Sequence, residues 1–176
     1  MRALAIMICM TLFFSMNEAT ASGPTIGVVK TVKGEAFIER EQKSTPAKTG
    51  DTLLEKDEII TGRDGSMGVI MKDDSVLSIG ANSRLQFTDF MFEPAEKKLS
   101  TVNRLKRGTL VYLSGLIAKI KPEAVRFETK TAVVGIRGTY LAISEQDDAL
   151  KDFTEEQAAK LNAIIRKREE KKAEVK

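Results

Sequence analysis

Histidine and tryptophan are both absent from the 176-residue chain. Without histidine, the chain lacks the side chain that most often serves as a general base near neutral pH. Serine–histidine and cysteine–histidine nucleophile pairs are excluded for the same reason, as are zinc sites built from histidine and cysteine. An enzyme that relies on carboxylates or lysine is still compatible with this composition.

Cysteine occurs once, as Cys9, inside the apolar run from Ala3 to Met16. The rest of the chain therefore cannot form a disulfide, even in an oxidising compartment. Its stability must come from a hydrophobic core, which a β domain of about 120 residues can supply.

The N-terminus has the pattern of an export signal. Arg2 precedes the apolar run, which is shorter than the roughly 20 residues needed to span a bilayer. Ala19-Thr20-Ala21 then follows the small-x-small pattern of a signal-peptidase site. We expect residues 1–21 to be a cleaved signal peptide, with Ser22 as the first mature residue. An uncleaved anchor is the alternative.

Charge gives little indication of a partner. The chain has 28 basic and 25 acidic residues and a net charge of +3. Removal of residues 1–21 takes away Arg2 and Glu18, which leaves 27 basic and 24 acidic residues and the same net charge. This balance is too even to indicate a nucleic-acid partner.

From Ile26 to Ser144 the chain consists of short apolar runs separated by turn residues at intervals of about 8 to 12 positions, which is typical of an all-β domain. Turns such as Asp64-Gly65 indicate successive hairpins. The sequence predicts a compact sandwich- or solenoid-like β domain over residues 22–144. We expect a polar loop at Arg40–Thr45 and a wide loop from Met91 to Lys98.

Two shorter runs carry more specific expectations. In the run that ends at Ile79, Leu77 and Ile79 are predicted to face inward and Val76 to be partly exposed. Leu116–Ile120 is apolar enough for either a buried strand or a short helix.

Residues 145–176 are predicted to form a charged linker and one C-terminal helix. Thr154-x-x-Gln157 fits a capping box, and Glu155–Lys172 contains neither glycine nor proline. One face of this helix carries Leu150, Phe153, Leu161 and Ile164 or Ile165, but Gln157 and Arg168 interrupt it. The helix is either laid on the domain in solvent or bound to a partner. Its basic end, Arg166–Lys172, would suit anionic lipid, but it lacks the aromatic residues that membrane-surface helices use.

The densest β-forming run is Thr129–Ser144, which we expect to be the single closing strand of the domain. Gly135 within it indicates a bulge or a close backbone approach, and Gly138 indicates a second such point. Arg137 lies between them, where it either pins a turn or binds an anionic ligand or a partner's carboxylate. Gly135, Arg137 and Gly138 are therefore the candidate structural or ligand-contact residues.

Several motifs resemble those of the FecR-like domain family, in the same order along the chain. They are Val28–Gly34 for its opening strand, Gly50–Gly62 for its second segment, Asp64–Leu85 for its central hairpins and Thr129–Thr139 for its C-terminal motif. The resemblance covers about residues 26 to 144. Lys56 and Lys130 depart from it, since they stand where glycine and proline are common in the family.

The resemblance implies a β domain in the periplasm. The family is named for a regulator of ferric-citrate transport, which senses an outer-membrane transporter and controls a sigma factor. That type of regulator combines a cytoplasmic anti-sigma segment, a membrane span and this periplasmic domain. Here the resemblance covers the β domain alone, so what it implies is the fold and the exported location.

These observations favour an exported, non-catalytic module that binds a protein or a cell-envelope polymer, with a possible role in signalling and no cofactor. The alternative is a regulatory partner of a transmembrane signalling or iron-uptake sigma-regulator system that acts through the C-terminal helix.

An enzyme that uses carboxylates is the disfavoured third hypothesis. The candidate acids are Glu58, Asp64, Asp73 and Asp74, but the aspartates stand at turn positions and Glu58 only opens a strand. The Asp73-Asp74 pair lacks the alternating oxygen ligands of a calcium loop. We interpret it as a solvated turn and expect no metal site.

Overall fold

The computed structural model describes residues 23–136 and 140–145, and this part of the chain is mostly β structure in two sheets, with one short α-helix. The strands are β1 (Thr25–Lys33), β2 (Ala36–Arg40), β3 (Lys43–Pro46), β4 (Thr52–Leu54), β5 (Glu58–Thr61), β6 (Ser66–Met71), β7 (Val76–Ile79), β8 (Arg84–Glu93), β9 (Lys98–Arg107), β10 (Thr109–Leu113), β11 (Val125–Glu128), β12 (Val133–Gly135) and β13 (Tyr140–Ser144). Helix α1 is Leu116–Ile120, and 3₁₀ turns span Pro94–Glu96 and Pro122–Ala124. The prediction of an all-β domain is confirmed.

The six-stranded sheet has the order β13-β10-β7-β6-β1-β4, and the seven-stranded sheet has the order β12-β11-β9-β8-β5-β2-β3. Neighbouring strands run antiparallel except for β9 and β11, which are parallel. Strand β10 and helix α1 form the connection between that parallel pair. Because β10 belongs to the six-stranded sheet, the chain passes from one sheet to the other and back.

Both sheets contribute to one hydrophobic core, which gives a sandwich arrangement. Tyr112 on β10 and Phe127 on β11 meet across it with ring centroids 5.0 Å apart. Leu77 and Ile79 are buried in this core and Val76 is half-buried, as the sequence predicts.

The expected loop at Arg40–Thr45 is wrong, because β3 occupies Lys43–Pro46 and pairs with β2. The turn between them places Glu41 and Gln42 at φ of 50° and 67°. Two consecutive left-handed residues give the tight turn that joins antiparallel strands. Pro46 is tolerated because β3 is an edge strand, where one side needs no ladder hydrogen bonds.

The expected wide loop from Met91 to Lys98 is also wrong. Strand β8 continues to Glu93 and β9 begins at Lys98, so the pair forms one long hairpin around the 3₁₀ turn Pro94–Glu96. The register shifts between Phe87 and Asp89, so β8 has one extra residue there. This bulge breaks the regular alternation of side chains by which a strand is recognised in a sequence.

The single closing strand expected over Thr129–Ser144 is instead two strands in different sheets, β12 and β13. The predicted signal peptide and C-terminal helix lie outside the described residues, as do Arg137 and Gly138. In the described part of the chain, no helix has the length and apolar character needed to cross a membrane.

Candidate functional site

The run Thr129–Ser144, which we call the signature run, supplies one edge strand to each sheet of the sandwich. Strand β12 pairs only with β11, at the edge of the seven-stranded sheet, and β13 pairs only with β10, at the edge of the six-stranded sheet. We call β12 and β13 together the signature edge. Each strand has one side without a neighbouring strand among residues 23–136 and 140–145, where backbone N–H and C=O groups point outward.

Thr129 closes the hairpin that places β12. Its N–H donates to the Ala132 carbonyl at 2.8 Å, and its hydroxyl accepts the N–H of Thr131 at 3.3 Å and that of Ala132 at 3.1 Å. The Lys130 N–H donates to the Glu145 carboxylate at 3.3 Å, which ties the turn to the end of β13. Side-chain capping of this kind is why a threonine-rich segment turns here.

Gly135 lies in an ordinary strand. It pairs with Arg126 in a regular register, and a Cβ built on it would meet no atom within 4 Å. The expected bulge or close backbone approach is therefore not found, because β12 lies at an edge and nothing packs over this position. Its role as a ligand contact stays a prediction.

Apolar side chains on the signature edge face solvent. Val133 is 68% exposed and Tyr140 is 55% exposed, whereas Ile136, directly after β12, is 7% exposed and belongs to the core. Ile136 thus anchors the segment, and Val133 and Tyr140 are available for contact.

The opposite edges carry the features by which proteins block strand pairing. Strand β3 contains Lys43 and Pro46, and β4 is only three residues long. Lysine, proline and short length each discourage addition of another strand. Neither strand of the signature edge contains lysine or proline, because β12 reads Val-Val-Gly and β13 reads Tyr-Leu-Ala-Ile-Ser. With three residues, β12 is as short as β4, whereas β13 has five residues.

Glu58, one of the candidate acids, is held in an ion-pair network. Lys106 donates to its Oε2 at 2.9 Å, and Arg84 Nε lies 3.0 Å from its Oε1. Arg84 also contacts Glu39 at 3.2 Å. Glu58 is 6% exposed, so this carboxylate holds neighbouring strands together instead of facing a substrate.

Asp73, a second candidate acid, is fully buried, which corrects its interpretation as part of a solvated turn. Its Oδ1 accepts the Ser75 hydroxyl at 2.6 Å, and its Oδ2 accepts the Ile117 N–H at 3.3 Å. Its carbonyl accepts the Leu116 N–H at 2.7 Å. Asp73 therefore anchors the first turn of α1, where no local side chain caps the helix. Asp64 and Asp74 are exposed.

Tyr112 is the buried titratable group beside Asp73. Burial raises the pKa of Tyr112 to about 12, and the Asp73 charge adds to this, while the Gly115 backbone and the Ser75 hydroxyl oppose it. The phenol oxygen lies near the Gly115 backbone and the Ser75 hydroxyl. Within the described residues, however, it forms no hydrogen bond of normal geometry. A phenol with this pKa stays protonated at neutral pH.

The sequence analysis missed the ion pair between Arg40, whose side chain is 31% exposed, and the buried Asp57. Arg40 donates to both carboxylate oxygens of Asp57, at 2.8 and 2.7 Å, and the Leu54 N–H donates to Asp57 at 2.8 Å. The hydrogen bond to Asp57 raises the pKa of Arg40 further. Asp57 lies within the motif Gly50–Gly62 that resembles the family, but the motif assigned it no role.

Lys56 has a φ of 72°, in the left-handed region that glycine adopts at no steric cost. The resembled family commonly has glycine at this position. The backbone conformation favours glycine here as well, so Lys56 stands where a glycine would be less strained.

No group of three or more histidine, cysteine, aspartate or glutamate residues in the described ranges is arranged to hold a metal ion. Within these limits, the strongest feature that points to recognition is the signature edge.

Comparison with known proteins agrees with the family resemblance that the sequence motifs indicate. The family described as FecR protein matches residues 57–155, more than half of the chain. The match begins at Asp57, the buried member of the Arg40–Asp57 ion pair, and includes the whole signature edge. No curated protein and no solved structure gives a significant match. The chain belongs to the FecR protein family.

Proposed function

We propose that this protein is an exported, non-catalytic module of the FecR family that binds a protein partner through the signature edge. The observation that carries the proposal is that the run Thr129–Ser144 forms one edge strand in each sheet, without lysine or proline in either strand and with Val133 68% exposed. FecR proteins are typically signalling regulators, which supports a binding role in signalling.

An edge strand recognises an extended peptide through its backbone. The added strand makes ladder hydrogen bonds for affinity, and alternate side chains supply specificity. Here Val133 and Tyr140 offer apolar contact, and Gly135 leaves space for a partner backbone to approach. This mode favours a protein over a cell-envelope polymer, because a polysaccharide has no peptide groups to continue the ladder.

The non-catalytic part of the proposal is supported by the roles of the candidate acids. Glu58 is paired with Lys106 and Arg84, and Asp73 anchors α1. Both carboxylates are used for structure.

Site-specific photo-cross-linking tests the edge. A photo-reactive residue at Val133 should capture a defined envelope protein, and the same residue at Ser44, on the protected edge strand β3, should not. A competition assay tests the same edge with untagged protein. Untagged protein with Thr45→Lys on β3 should compete for the partner and reduce capture at Val133, as untagged wild-type protein does, whereas untagged Val133→Lys protein should not. Equal cross-linking from both edges would contradict the proposal.

The second candidate function, a regulatory relay to a transmembrane signalling or iron-uptake system through the C-terminal segment, is supported by the signalling role typical of the family. Deletion of residues 155–176 separates the two. If partner capture at Val133 survives the deletion, the edge carries recognition; if capture is lost while the β domain stays folded, the C-terminal segment does.

A further inference from the structure

The outer face of the six-stranded sheet carries an uncharged apolar surface. Strand register places two rows of side chains on this face, since directly paired residues project to the same side. The first row is Tyr140, Leu113, Val76, Ile70 and Val28, and the second is Ala142, Val111, Ser78, Gly68 and Thr31. We call these two rows the apolar face.

The outer face of the seven-stranded sheet is different. One row across it reads Glu39, Glu58, Gln86, Arg104 and Glu128. Arg104 donates to Glu128 at 2.6 Å, and Lys106 and Arg84 bond Glu58. That face has the charged pairs expected of a solvated surface, and the apolar face has none in its two rows.

Two residues of the apolar face are already shielded from water. Leu113 is 3% exposed and Val111 is 6% exposed, although both point away from the core and belong to none of its contacts. Their direct neighbours on the face are the small residues Ser78 and Ala142, the half-buried Val76, and Tyr140, which is itself 55% exposed. The burial indicates a covering segment over β10.

The chain itself supplies a segment of the right chemistry at the right place. β13 is the edge strand of this sheet, and the Glu145 N–H donates to the Gly108 carbonyl at 2.9 Å beside β10. Residues 146–176 continue from that point. Their sequence places Leu150, Phe153, Leu161 and Ile164 or Ile165 on one helical face, which Gln157 and Arg168 interrupt.

The dimensions agree as well. From β13 to β1 the apolar face spans four inter-strand spacings, about 19 Å at 4.8 Å each. A helix over residues 155–172 would be about 27 Å long at 1.5 Å per residue. One helix laid across the strands is therefore long enough to reach from Tyr140 to Val28, with Leu161, Ile164 and Ile165 near its middle.

We propose that residues 146–176 dock on the apolar face of the same molecule, with the apolar stripe of the C-terminal helix against Val28, Ile70, Val76 and Leu113. Tyr140 belongs to both the apolar face and the signature edge, and the docked segment would cover it. The part of the partner site that stays open in this arrangement is the β12 side, with Val133.

A paramagnetic label tests the docking in the exported chain, Ser22 to Lys176, which contains no cysteine. Ser78→Cys places a nitroxide on the apolar face, and Ser44→Cys places the same label on the seven-stranded sheet. The Ser78 label should broaden the amide resonances of residues 150–165, and the Ser44 label should leave them sharp. Absence of broadening from Ser78 would overturn the proposal.

A mixed sample identifies the occupant. Isotope-labelled protein without a nitroxide, mixed with unlabelled protein that carries one at Ser78, reports only contacts between molecules. Broadening in this sample equal to that within one molecule would mean that a second copy covers the face, which would overturn the intramolecular proposal.

Hydrogen exchange provides an independent measurement. Val76→Lys should accelerate amide exchange in residues 155–172 by about tenfold or more, which corresponds to about 1.4 kcal/mol of lost docking. Ile60→Lys, a half-buried position on the outer face of the seven-stranded sheet, should leave that exchange unchanged. Exchange in β6 and β10 should be the same in both variants, which shows that the domain remains folded. Equal exchange of residues 155–172 in the two variants would contradict the docking.

Discussion

Tyr112 makes the stability of this domain depend on alkaline pH, and Tyr112→Phe should remove that dependence. The phenol is 1% exposed and lies beside Asp73, so the folded state opposes its ionisation. Its pKa rises from 10.0 to about 12 on folding. Because folding raises this pKa, the folded state is stable relative to the unfolded chain to its full extent below pH 10. Stability then falls as the pH rises through 12, since the unfolded chain gains free energy from ionisation of the phenol first.

The magnitude follows from the two pKa values. At pH 11 the unfolded chain gains about 1.4 kcal/mol from ionisation of the phenol that the folded chain does not, and the difference approaches about 2.7 kcal/mol well above pH 12. At pH 8 Tyr112→Phe should change the free energy of unfolding by less than about 1 kcal/mol, because the hydroxyl has no well-formed partner to lose.

Urea unfolding followed by circular dichroism at pH 8 and pH 11 measures this difference. Wild-type protein should lose about 1.4 kcal/mol more than Tyr112→Phe between the two pH values. Lysines titrate in both proteins and cancel. Tyr140→Phe is the matched control, because it removes the same atom from a side chain that is 55% exposed. An equal loss in wild-type protein and Tyr112→Phe would refute the reasoning.

Three further predictions concern stability. Lys56→Gly should raise the free energy of unfolding by about 0.5 to 1 kcal/mol, because relief of the left-handed strain exceeds the added backbone entropy; unchanged or lower stability in urea unfolding would contradict it. Asp57→Asn should destabilise by about 2 to 4 kcal/mol through loss of its buried charge-assisted hydrogen bonds. Asp64→Asn, at an exposed turn, should stay within about 0.5 kcal/mol, and equal effects would refute the assignment. Gly115→Ala should lower the melting temperature because its Cβ would overlap buried backbone atoms, whereas Gly135→Ala should leave it unchanged and affect only partner binding.

The strand predictions succeeded where a strand is short and bounded by turn residues. Strand β7 is such a strand, and its Leu77 and Ile79 are buried and its Val76 half-buried, as the sequence predicts. They failed where the chain continued a strand past a polar or proline-containing segment, as in β3 and the β8–β9 hairpin. Pairing partners decide those boundaries, and a single sequence does not name the partner strand.

The candidate site was predicted only in part. The sequence singled out Thr129–Ser144, and the structure confirms that this run is β-forming, but the division into two edge strands depends on which neighbours each half finds. Asp73 shows the same limit, because its turn position indicates solvent, while α1, 44 residues later in the chain, covers it.

The amino-acid sequence by itself determined the all-β class, the family and the absence of histidine chemistry, because alternation, turn residues and composition are local properties. The tertiary structure decided that the signature segment spans two sheets, that it forms their open edges, and that Asp57 and Asp73 are buried anchors. These properties depend on pairing and burial between residues distant in the chain, and no local pattern records them.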